Sequence, residues 1–77
     1  MGRKSLPHHK IYTMTETKVY KLHDSIHVEA FTTSLGIEGI KHNVFEYEEY
    51  TAIEVTGTPL EIIRASTIYQ QVTTIKL

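Results

Sequence analysis

Four consecutive residues, Thr58-Pro59-Leu60-Glu61, constrain this chain more than any other segment. A threonine hydroxyl can accept from the amide three residues on, and a glutamate at that third position can reach back to the threonine amide. Proline at the first helical position gives up a donor that has no partner there. The spacing predicts a helix that starts at Pro59 and runs over residues 59–71. Ile62, Ala65, Tyr69 and Val72 recur near the helical period, and Ile63 and Ile68 widen the apolar belt. Such a helix is expected to cover one face of a sheet. Residues 73–77 then read as a short final strand.

The sheet is foreshadowed most clearly by residues 44–55. Alternation places Phe45, Tyr47, Thr51, Ile53 and Val55 on one face and Glu46, Glu48, Tyr50 and Glu54 on the other. Glu49 falls where an apolar side chain is expected, which predicts a bulge or tight turn near Glu48-Glu49 and two strands, 44–48 and 50–55. Residues 11–22 are rich in Thr, Tyr and Val and read as a strand with Tyr12, Met14, Tyr20 and Leu22 on one side. Glu16 and Lys18 interrupt that side, as at a bend or an exposed edge.

Residues 26–32 admit two readings. Ile26, Val28 and Ala30 alternate as in a strand, and Val28 with Thr32-Thr33-Ser34 disfavours helix because β-branching and hydroxyl competition both weaken it. The rival is a helix within 24–35, capped by Asp24 or Ser25. Gly36 and Gly39 break the chain before Val44. The expected fold is therefore α+β, a small antiparallel sheet of four to five strands (11–22, 26–32, 44–48, 50–55 and, as the fifth, 73–77) packed by one C-terminal helix. The alternative is a ferredoxin-like arrangement with two helices.

A chain of 77 residues makes one domain, read here as residues 11–77 behind a basic arm, residues 1–10, where Pro7 opposes helix. With no cysteine there is no disulfide to reinforce a thin core, so a homo-oligomer is expected. Hydrophobic residues at 40% and charged residues at 22%, with four glycines and two prolines, exclude a disordered or fibrous chain. No apolar run approaches the roughly 18–20 residues that span a bilayer, and the N-terminus shows no apolar signal stretch. A cytoplasmic protein that does not engage membranes is the expectation.

Charge is uneven along the chain. Arg3, Lys4, Lys10, Lys18 and Lys21 face a lone Glu16 in the first 22 residues, whereas Asp24, Glu29, Glu38, Glu46, Glu48, Glu49 and Glu54 face Lys41 over residues 23–54. Opposite patches of this kind suit self-association or a charged partner.

Motifs for chemistry are sparse. His23 and His27 stand four apart beside Asp24, but there is no glutamate between them as in zinc-protease helices and no cysteine, so no metal is assigned. The carboxylates of Glu46, Glu48, Glu49 and Glu54 could tune one another, yet acid–base catalysis also needs a pocket that so short a chain offers little room for. Gly2, Gly36, Gly39 and Gly57 are too scattered for a phosphate loop, and Ser5, Ser25, Ser34 and Ser66 lie in no nucleophile elbow. No catalytic residue and no cofactor is assigned. The sequence reads as a non-enzymatic regulatory or adaptor module that binds another protein through Glu46, Glu48, Tyr50 and Glu54 and associates with itself. The alternative is a nucleic-acid-binding protein that uses Arg3, Lys4 and Lys10 for phosphates and Tyr12 and Tyr20 for stacking.

Overall fold

The computed structural model describes residues 14–75. The chain runs β1 (Glu16–Leu22), α1 (Ser25–Glu38), β2 (Lys41–Glu46), β3 (Thr51–Gly57) and α2 (Pro59–Thr73). The strands form one antiparallel sheet in the order β1-β3-β2, so β3 lies between the two strands that α1 connects. This is a split βαβ unit followed by a second helix. The α+β class is as expected, with three strands among the described residues instead of four to five, and with two helices instead of one.

Two expected strands are corrected. Residues 26–32 lie in α1, where Phe31 and Leu35 are fully buried and Val28 packs against the same core. Burial of these side chains outweighs the weak helix preference of Val28 and the threonines. Thr32 also turns its hydroxyl back onto the Val28 carbonyl at 2.9 Å, which satisfies the group inside the helix. The helix ends in a Schellman motif: Gly39 adopts φ 73°, its N–H donates to the Gly36 carbonyl, and the Ile40 N–H donates to the Leu35 carbonyl at 2.9 Å. Ile40 is buried, which supplies the motif's apolar contact.

The expected strand 73–77 is the second correction. Val72 completes a buried stripe with Ile62, Ala65 and Ile68, which draws the helix through Thr73. The Thr73 hydroxyl then bonds the Tyr69 carbonyl at 2.8 Å, and the Thr74 hydroxyl bonds that of Gln71 at 2.7 Å. Residues 76 and 77 lie outside the described residues.

At its start, α2 carries the expected capping box. Glu61 N–H donates to the Thr58 hydroxyl at 3.2 Å, Thr58 N–H donates to Glu61 Oε1 at 2.9 Å, and Pro59 opens the helix. The closeness of this box explains the glycine before it, since a Cβ on Gly57 would stand 2.9 Å from the Glu61 Cβ. Both helices pack on one side of the sheet, over Tyr20, Leu22, Ile53 and Val55. The expected strand 11–22 is shorter as β1, with Met14 and Thr15 outside it. Residues 11–13 and the arm, with Arg3, Lys4, Lys10 and Tyr12, lie outside the described residues.

Candidate protein-interaction face

Register fixes what the helix-free side of the sheet displays. Side chains alternate along each strand, and the pairing aligns three rows across that side: Thr17–Thr56–Lys41, Val19–Glu54–Asn43 and Lys21–Ala52–Phe45. Thr17 and Thr56 hydroxyls lie 3.3 Å apart, and Asn43 Nδ2 donates to Glu54 Oε1 at 3.4 Å. Lys21 and Phe45 cover the small Ala52 between them.

The β2–β3 connection extends this face into an aromatic end. Tyr47 N–H donates to the Tyr50 carbonyl at 2.9 Å, and the two rings lie 5.2 Å apart. His23 Nδ1 donates to the Glu49 carbonyl at 3.2 Å and ties the loop to the end of β1, with its ring 6.4 Å from that of Tyr50. Lys21 Nζ stands 4.9 Å from the Tyr50 ring centroid, a cation–π contact. Phe45 is 44% exposed and Tyr47 57% exposed. Aromatic side chains so exposed, clustered and braced are uncommon on a surface with no partner.

The structure distributes the sequence-predicted residues unequally. Tyr50 and Glu54 lie on the helix-free face, Glu48 sits in the loop, and Glu46 points to the helix side with Val44. The expectation that Glu46, Glu48, Tyr50 and Glu54 share one face with Phe45 and Tyr47 opposite is therefore corrected. Loop residues 47–50 separate the pair Glu46↔Thr51, and this even-length connection makes odd positions of β2 share a side with even positions of β3. A continuous alternation through 44–55 runs in the wrong phase on one side of the loop. The surface residues missed by that reading are Phe45, Tyr47 and Lys21, and placing the turn at 47–50 is the sequence signal that finds them.

Tyr20 is a core residue, 5% exposed, with its ring 5.3 Å from Phe31 and 4.9 Å from Tyr69. Its hydroxyl and that of Ser66 lie 2.6 Å apart, while Lys18 Nζ donates to the Ser66 hydroxyl at 3.4 Å. Ser66 thus satisfies a buried phenol. A serine nucleophile paired with lysine needs that lysine buried and neutral, whereas Lys18 is exposed at a strand edge. These groups belong to an open groove of about 340 Å³ between β1 and α2, lined also by Val19, Lys21, Tyr69 and Gln70.

His23 and His27 act as clasps between distant segments. His27 Nε2 donates to the Ile75 carbonyl at 3.1 Å, with Nδ1 3.8 Å from Asp24, while His23 faces the loop and not His27. Among the described residues no group of three His, Cys, Asp or Glu side chains is placed to hold a metal ion. No helix among them is long and apolar enough to cross a membrane. At the other end of the molecule, Arg64 donates to Glu38 at 2.8 Å and ties the end of α1 to α2. That hydrogen bond, reinforced by the guanidinium charge, holds the Glu38 carboxyl below its ordinary range.

Comparison with protein families, with curated proteins and with solved structures yields no match.

Proposed function

We propose that this chain is a small protein-binding module with no catalytic role of its own, which takes a basic segment of a partner protein on the aromatic end of its helix-free face and also associates with itself. The observation that carries this reading is the contact of the Tyr47 and Tyr50 rings at the end of the face that also displays the exposed Phe45 and Glu54, with Glu48 and Glu49 in the connection between the two tyrosines. An arginine can stack on a tyrosine and pair with a carboxylate at once, and aromatic anchors of this kind dominate interface energetics. Lys21 over Tyr50 is an internal instance of the same contact. Charge agrees with it, since Lys18, Lys21, Lys41 and Arg64 are outnumbered by nine Asp and Glu residues over 14–75.

Calorimetric titration with a synthetic arginine-rich peptide tests the reading. Binding is expected to weaken about tenfold on Tyr47→Ala, equivalent to roughly 1.4 kcal/mol, and further on Glu48→Lys with Glu54→Lys. Equal binding to all three proteins, or none to the parent chain, overturns it. The nucleic-acid alternative loses the ring of Tyr20 to the core and meets Glu54 at the centre of the open face. A salt-sensitive mobility shift with single-stranded DNA, abolished by Arg3→Ala with Lys4→Ala, would favour it instead.

A further inference from the structure

The edge of β1 that no described residue pairs with is the second surface with a chemistry of its own. In the order β1-β3-β2, β1 pairs with β3 along its whole length, Glu16↔Gly57 to Leu22↔Thr51, and among the described residues nothing pairs with its other side. The Tyr69 hydroxyl donates to the Lys21 carbonyl at 3.1 Å, so that carbonyl points away from β3. Alternation in an antiparallel ladder then directs the N–H and C=O groups of Thr17, Val19 and Lys21 outward along the edge. Seven residues without proline or bulge make an unbroken template, and proteins ordinarily shield such an edge with lysines. Here both lysines are drawn off it. Lys18 turns to the helix side, 5.3 Å from the Tyr20 ring and bonded to Ser66, and Lys21 turns to the open face over Tyr50. Val19, 52% exposed, is left at the centre of the edge.

We propose that this edge pairs with the same edge of a second copy, β1 against β1 about a two-fold axis at Val19, joining the two sheets into one. The partner is identified by self-complementarity. Outward-directed residues must meet outward-directed residues, and the register that uses the whole strand sets Val19 opposite Val19, Thr17 opposite Lys21, Lys18 opposite Tyr20 and Glu16 opposite Leu22 of the second copy. No like charges face each other in it, whereas a shift that sets Thr17 opposite Val19 places Lys18 directly against Lys18. A two-fold axis also repeats every backbone bond, as closed homodimers require. The grooves between β1 and α2 of the two copies come to flank the new seam. This deepens the self-association proposed above; the seam borders the basic-segment face at Val19, beside Glu54, and at Lys21, while Phe45, Tyr47 and Tyr50 lie away from it.

Sedimentation of the full chain is expected to give the mass of two chains. Val19→Pro removes an N–H that serves only the seam, and is expected to give a monomer with the parent's far-ultraviolet circular dichroism. A direct measure of register uses the absence of native cysteine. In a hydrogen-bonded antiparallel pair the two Cα atoms of Val19 lie about 5.5 Å apart, within disulfide range, while those of Thr17 lie about 14–15 Å apart. Val19→Cys is therefore expected to form a disulfide-linked dimer under mild oxidation, and Thr17→Cys is not. A monomeric parent chain, or equal cross-linking of the two cysteine variants, overturns the proposal. Tyr47→Ala, in the β2–β3 connection away from β1, should still sediment as a dimer while it binds the arginine-rich peptide more weakly, so loss of the dimer and loss of peptide binding report separately on the two surfaces.

Discussion

The two helices reach the same core by different means. In α2 the start is written locally, because Thr58, Pro59 and Glu61 satisfy one another within a single turn. In α1 the N-cap is Asp24, whose side chain makes no capping hydrogen bond, and no acidic residue stands in the first turn. Its apolar residues also point in several directions, with Phe31 and Leu35 buried while Ile26 and Ile37 face solvent. One helix is specified by its own sequence and the other by what it packs against, and perturbations should separate the two.

The largest effect is expected from the core under α1. Phe31→Ala removes a fully buried ring that meets both Tyr20 and Tyr69, and should cost about 3–5 kcal/mol in urea unfolding. A loss under 1 kcal/mol, roughly that of a surface change, would mean that α1 does not depend on the core. Next comes its C-terminal stop. Gly39→Ala places a side chain at φ 73° and should cost about 1–2 kcal/mol, although nothing stands within 4 Å of the new Cβ.

For α2 the sensitive point is the cap, and Thr58→Ala should cost about 1 kcal/mol. Gly36→Ala reverses the sign. Gly36 is exposed within α1 with open space around it, so alanine should stabilise by about 0.5–1 kcal/mol and raise the thermal midpoint. The smallest effect belongs to the exposed Glu38–Arg64 pair. Because the folded carboxyl is held below its ordinary range, its contribution is present above the unfolded-state value and fades as pH falls through the lower folded one. Glu38→Gln should accordingly lower stability slightly near neutral pH and not at all in acid or high salt.

The same contrast explains what the sequence discloses. The α2 cap and the split of 44–55 into two strands are legible because each depends on residues within a few positions of one another. The nature of residues 26–32 is not, since alternation of Ile26, Val28 and Ala30 imitates a strand and only the contacts of Phe31 and Leu35 decide for helix. Of the two expected breaks, Gly39 is one, while Gly36 lies inside α1, two residues before its end. The Schellman pattern of Gly39 followed by buried Ile40 carries the further information that a helix ends there. For the interaction face, phase is the obstacle. Glu54 and Tyr50 belong to it as expected from polarity, but Phe45 and Tyr47 join them only once the even-length loop is placed.

Tyr20 shows the limit of reading aromatic residues by type. Its position with Tyr12 on a strand behind the basic arm suggests a stacking surface, while its partner Ser66 lies 46 residues away and holds the hydroxyl inward. Tyr47 has the same chemistry with an exposed ring, and the difference comes from which side of the sheet each occupies.

Amide and aromatic NMR shifts of the full chain, followed as the arginine-rich peptide is added, test the central claim most directly. The account predicts saturable changes at Phe45, Tyr47, Tyr50 and Lys21 with the exposed Leu60 and Ile63 of α2 unmoved. Changes centred on α2, or spread evenly over every carboxylate without saturation, would contradict it.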